Sequence, residues 1–196
     1  MGEAGSQGHR VFIGMPVPPE VGEAIHAWAL ENYRSGVRLI GATEMHVTLL
    51  FFASLSDQNL KAMIELVRQA DMRPMRCETG EVEAHGHNAL AVRLVARLEE
   101  QTRLSDELLG LEPINPLGQL RHMLDDPERV RMRRRARHSQ LPDLHVTFAR
   151  LKRGEVVQGT LPQLTPMPVT LDRLALFESH LAPGGSRYEV LAEARR

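Results

Sequence analysis

Disulfide chemistry is the first thing the sequence lacks. Its one cysteine, Cys77, cannot form an internal bridge, so nothing points to an oxidising compartment. No apolar run approaches the roughly 18 residues of a membrane helix. Residues 1–8 are polar and glycine-rich, without a secretory leader's apolar core. A cytoplasmic protein with no membrane partner is expected. A net charge of -1 gives no global attraction to nucleic acid or lipid, and no glycine-rich phosphate loop of Walker or Rossmann type is present. What remains is ordinary globular material: 196 residues, 42% hydrophobic and 25% charged, enough for one compact domain or two small lobes. Residues 1–9 are expected to be disordered and 10–196 to form a single bilobal domain, a monomer.

Periodicity supplies the elements. Residues 10–17 are apolar and β-prone, and Pro18, Pro19 and Glu20 then start a helix. Its buried face carries Val21, Ile25, Trp28 and Ala29, and Gly36 follows its end. A strand is predicted over 45–53. Ser56 caps a helix lined by Leu60, Met63, Ile64 and Val67. Strands over 74–84 and 89–96 flank a turn through His85, Gly86, His87 and Asn88. Helical spacing continues through Leu104, Leu108 and Leu111, with a further short helix through Leu117, Leu120 and Leu124. Strands over 144–151, 168–178 and 187–192 complete the chain, the last two separated by Pro183, Gly184 and Gly185. Each half thus runs strand–helix–strand, which suggests an internal duplication.

The feature that repeats clearly is His-x-Thr: His46-Val47-Thr48-Leu49 and His145-Val146-Thr147-Phe148. Alternate strand residues share a face, so each His projects with its Thr while the intervening apolar residues point into the core. Nine His and eight Thr predict roughly a third of an accidental match per chain. Two matches, both with valine inside and both on strands, are far rarer. Imidazole exchanges protons near neutral pH. Two of them beside one phosphorus atom activate an attacking hydroxyl and protonate a departing one. A threonine hydroxyl two residues on donates to a phosphate oxygen. Such chemistry requires no metal and no cofactor.

These paired motifs resemble those of the two-histidine phosphoesterases, and within them the LigT-like RNA 2′,3′-cyclic phosphodiesterases, also called 2′-5′ RNA ligases. The similarity runs from Arg10 to Leu191. It includes the first strand and helix start at 10–20, the Arg150 that trails the second motif, and a closing hairpin at 177–188. Leu144 stands where the family usually has proline, and Phe52-Ala53 where it often has leucine–glycine. The resemblance implies an α+β, bilobal, pseudo-duplicated fold, with two antiparallel sheets facing a central cleft and helices outside. It implies hydrolysis of RNA or nucleotide 2′,3′-cyclic phosphates to 2′-phosphates without metal or ATP. His46 would protonate the departing O3′ and His145 activate water, although the pseudo-symmetry also allows the reverse. Thr48 and Thr147 would bind phosphate oxygens, Arg150 would lie near the nucleotide, and Phe12 would stack on the base. The same site run backwards would form a 2′-5′ linkage. A non-catalytic RNA-binding module is the alternative from another class.

Arginines 129, 131, 133, 134, 135 and 137 form either a patch for RNA phosphates or a solvated loop offset by Asp125, Asp126 and Glu128. His85-x-His87 reads as a surface turn rather than a metal pair. Cys77 reads as a buried strand residue.

Overall fold

The computed structural model of the chain describes residues 8–33, 35–109, 143–152, 154–156, 159–182 and 185–195. The arginine-rich stretch and the helix expected through Leu117, Leu120 and Leu124 lie outside them. No helix among the described residues is long and apolar enough to cross a membrane.

The first half runs β1 (His9–Pro16), α1 (Pro19–Asn32), β2 (Val37–Leu39), a 3-10 turn (Ala42–Glu44), β3 (His46–Leu55) and α2 (Asp57–Arg68). The second runs β4 (Met75–His85), β5 (Ala89–Ala96), α3 (Leu98–Leu109), β6 (His145–Leu151), β7 (Pro168–Leu171), β8 (Arg173–Ala182) and β9 (Gly185–Arg195). β1 begins at His9. Pro19 opens α1, and Ser56 Oγ accepts from Asn59 N at 3.3 Å to cap α2, as the sequence predicts.

Hydrogen bonding orders the strands β7-β4-β5-β6-β3-β1-β8-β9, with β2 also on β6. All belong to one nine-stranded antiparallel sheet, of which β6, β5, β4 and β7 make up one half and β3, β1, β8 and β9 the other. The two expected sheets are thus halves of a single sheet, joined through the β3–β6 pair at Val47↔Val146. The run 168–178, predicted as one strand, is two: β7 pairs with β4 and β8 with β1. The chain crosses between the halves at Asp172. A periodicity argument sees continuous β-propensity there and has no information about partners.

Beneath the sheet lies one apolar core. Val11, Ile25, Val47, Val146, Phe148 and Leu176 are fully buried within it. Trp28 on α1 packs edge-on against Phe148, with ring centroids 5.5 Å apart. A helix of the first half therefore supports the motif strand of the second. Burying side chains of this size contributes about 1.5–3 kcal/mol each, which fixes both motif strands on one scaffold.

Candidate active site

Valines 47 and 146 pair across the junction of the halves in antiparallel register. Their neighbours must then face each other crosswise, His46 opposite Thr147 and Thr48 opposite His145, all on the surface away from the core. Both valines are 0% exposed, which fixes the inward direction. The two histidines lie on a diagonal, about 7–8 Å apart at their Cα atoms in a regular ladder. Their positions are equivalent, and so are their tethers. His46 Nδ1 donates to the Glu44 carbonyl at 2.7 Å, and His145 Nδ1 donates to the Asp143 carbonyl at 3.0 Å. A carbonyl only accepts, so Nδ1 carries hydrogen in both rings and Nε2 is left for proton transfer.

Bulges complete the arrangement. The β5–β6 register shifts between Leu90 and Ala91, so Phe148 and Ala149, both 0% exposed, turn inward in succession. Arg150 thereby returns to the face of His145 and Thr147, where strict alternation from Thr147 would have sent it into the core. Its Nη1 donates to Asn88 Oδ1 at 3.4 Å. β3 has the same irregularity, between Ile13 and Gly14 in its pairing with β1. That shift puts Phe51 where β6 has Arg150. Small residues line the floor beside each threonine: Gly14 pairs with Thr48 and Ala91 with Thr147. A Cβ on Gly14 would sit 2.7 Å from the Val47 carbonyl oxygen, so only glycine allows β1 this close.

Curling of the strands brings distant registers together. Pro16 pairs with His46, four residues or about 13 Å along a straight strand from Phe12. Even so, the Phe12 and His46 rings stack 4.6 Å apart. Phe177 lies 5.4 Å and Tyr188 5.1 Å from the same imidazole. Phe12 itself is 3% exposed. The residue expected to stack on the base here stacks on the His46 imidazole and on Phe177. Tyr188 is the more accessible aromatic. It lines a small pocket of ≈ 100 Å³ with Pro16, Thr43, Glu44, Met45, His46, Phe177 and Val190. The expectation of a closing hairpin at 177–188 pointed to this region but did not single out the tyrosine.

Burial also acts on the His46 ring. Burial pushes the His46 pKa down from 6.5 to about 4, with the positive charges of Arg150 and His145 adding to the effect. The Glu44 carbonyl opposes the shift. At neutral pH His46 is an uncharged imidazole, an acceptor at Nε2. The ring of His145 is covered instead by His85, stacked at 3.7 Å. His85 was expected to lie in a surface turn; His87 does, but His85 reaches over Ala89 and Ala91 into the site. Beside it stand Glu83, 4.0 Å away, and Arg93, which pairs with Glu83 at 3.1 Å.

Gly185, at φ +120, lies against the Arg38 guanidinium, which occupies the space a Cβ there would need. Arg38 pairs with Arg150 in the β2–β6 ladder. Arg10 lies over the Phe51 ring at 4.4 Å, and its buried Nε has no hydrogen-bond partner. Neither arginine was singled out from sequence. Cys77 Sγ is directed at the Val169 carbonyl, and burial pushes its pKa up to about 12, so the thiol is unreactive.

No family model and no curated protein matches the chain. Solved structures do. TT0787 of Thermus thermophilus aligns with 95% of this chain and 97% of its own, at 21% identity and a TM-score of 0.63. E. coli LigT in apo form aligns over 97% and 98%, at 22% identity and 0.60. A structure described as a phosphoesterase aligns over 96% and 98%, at 18% identity and 0.63. From one end of the described strands to the other, the chain has the α+β fold of E. coli LigT.

Proposed function

We propose that the chain is a two-histidine phosphoesterase that hydrolyses RNA or nucleotide 2′,3′-cyclic phosphates to 2′-phosphates, as a cytoplasmic monomer that needs neither metal nor ATP. The observation that carries this reading is the diagonal pair of imidazoles, each flanked by a threonine on one face across the Val47↔Val146 junction. Structures of E. coli LigT, of the same fold, are complexed with ATP, 3′-AMP, NADP+ and phosphate, which supports a phosphorylated nucleotide ligand here. Hydrolysis adds water to phosphorus and breaks the P–O3′ bond. One imidazole takes a proton from water and the other gives one to O3′, so charge balances without a Lewis acid. Each transfer contributes roughly 10²–10⁴ in rate. Thr48 and Thr147 donate to the non-bridging oxygens, and Arg150 offsets their charge.

The low pKa of His46 favours one assignment of roles. A neutral imidazole accepts, so His46 activates water and His145 protonates O3′, the reverse of the order implied by the family resemblance. A substrate with sulfur in place of O3′ separates the roles, because a thiolate leaves without protonation. His145→Ala should recover most of its activity on that substrate and His46→Ala none. Recovery by His46→Ala instead restores the first assignment.

The reading as a whole is tested by turnover of a nucleoside 2′,3′-cyclic phosphate in EDTA, with the product isomer identified. Release of the 2′-phosphate, lost in both histidine variants, is the expected result. No turnover on mononucleotides or on RNA with cyclic ends overturns it. Ligation to a 2′-5′ linkage uses the same groups with a 5′-hydroxyl in place of water, and it would appear in the same assay when an RNA acceptor is added. A pure RNA-binding module would bind RNA and turn nothing over.

A further inference from the structure

We propose that His85, Asp143 and His145 form a binding site for a divalent first-row transition ion, zinc being the best match, and that an ion bound there holds His145 out of proton transfer. The second clause rests on the proposed function; the first does not. One ligating atom from each of the three side chains lies within 4.8 Å of the other two. Tetrahedral zinc with bonds of about 2.0–2.1 Å holds its ligands about 3.3 Å apart. The two imidazoles are stacked at 3.7 Å, so their in-plane lone pairs run side by side, and an ion binds only when the rings rotate out of the stack to converge on it.

The donor set selects the ion. Two imidazoles and one carboxylate suit zinc, cobalt, nickel or iron, whereas magnesium and calcium require oxygen shells. Three protein ligands leave a fourth position open, as in zinc sites that accept an exchangeable ligand. The outer shell is in place at His145. Metal-binding histidines are held through their second nitrogen by a carbonyl or carboxylate. His145 Nδ1 is held by the Asp143 carbonyl at 3.0 Å. For His85 the matching carboxylate is near but not bonded: Glu83 stands 4.0 Å from Nδ1, beyond hydrogen-bond distance, and is itself paired with Arg93 at 3.1 Å. Ala89, paired with His85, and Ala91, paired with Thr147, are the small residues beside the rings, buried at 2% and 0% exposure.

A second set of donors, Glu178, His180 and Glu189, is less suited. His180 and Glu189 are 52% and 66% exposed, and Glu178 is already engaged by His9 at 2.6 Å. It must be removed from the test all the same.

Untagged His180→Ala protein serves as the background, and Co²⁺ is titrated while visible absorption is followed, with Zn²⁺ as competitor. One equivalent with a tetrahedral or five-coordinate spectrum is expected. His85→Phe, which keeps the ring stack and removes both nitrogens, should weaken binding more than tenfold, and so should Asp143→Asn. Glu83→Gln should cost about tenfold through the outer shell, and His46→Ala nothing. Absence of stoichiometric binding, or binding unchanged in His85→Phe, overturns the site. Where turnover is present, Zn²⁺ should abolish it and EDTA restore it; inhibition that survives in His85→Phe places the inhibitory ion elsewhere. Metal binding without any turnover would leave the site standing and remove the proposed activity, so the two readings fail separately.

Discussion

The two halves of the cleft share a backbone plan and differ in what covers their histidines. In β3 and in β6 the motif begins the strand, the valine points inward, and a carbonyl two residues upstream holds Nδ1. A bulge follows each threonine. Over His46 lie Phe12, Phe177 and Tyr188; over His145 lies another imidazole, with an acid and a cation behind it. At the position after the bulge one half has Phe51 and the other Arg150. The repeated backbone places the imidazoles, and the side chains at equivalent positions make one an apolar-covered acceptor and the other part of a polar cluster.

The largest effect that tests this division comes from the histidines themselves. His46→Ala and His145→Ala should each lower kcat by about 10²–10⁴. The double variant should be little worse than the weaker single one, because the pair acts as a unit. Losses that simply multiply would mean two independent contributions.

Thr48→Val and Thr147→Val should each cost about 10–100-fold in kcat/KM, the worth of a hydrogen bond to a charged oxygen. Near-equal losses would show that the two halves grip the phosphate equally. A loss confined to one would show that the symmetry ends at the backbone.

Phe12→Leu opens the apolar cover. It should raise the His46 pKa from about 4 towards 6.5 and move one limb of the pH–rate profile, leaving the other unmoved. The same burial carries a stability consequence. Because the folded pKa of His46 lies below the unfolded value of 6.5, its contribution is complete above pH 6.5 and is lost as the pH falls towards 4. The loss is bounded at about 3 kcal/mol. Acid unfolding of Phe12→Leu measured against wild type checks this, the variant showing the shallower pH dependence over that window.

Smallest is the effect at the outer end of the His46 half. Hydrogen bonds to Glu178 and Asp57 raise the His9 pKa above 6.5, so His9 contributes below pH 6.5 and fades as the pH rises through its folded value. His9→Gln should lower Tm by about 1–3 °C at pH 6 and by less at pH 9.

Much of this was legible in the sequence because it obeys local periodicity. Alternation put Val47 and Val146 inside and the His–Thr pairs outside, and Pro19 and Ser56 marked helix starts through backbone requirements alone. What escaped depends on pairing between distant strands. The break at Asp172 is set by two different partners, β4 and β1. Arg150 reaches the site only through a bulge that alternation does not predict. His85, Tyr188 and Arg38 arrive by curling and hairpin packing, over separations of many residues along the chain. Phe12 was singled out from the sequence, but its stacking on His46 and Phe177 depends on strands far apart in the chain.

The central claim, that the two histidines carry opposite proton transfers, is tested most directly by kcat/KM against pH on a nucleoside 2′,3′-cyclic phosphate. The account predicts a bell for the wild type, with the acidic limb missing in His46→Ala and the basic limb missing in His145→Ala. Loss of the same limb in both variants, or an unchanged bell in either, would contradict it.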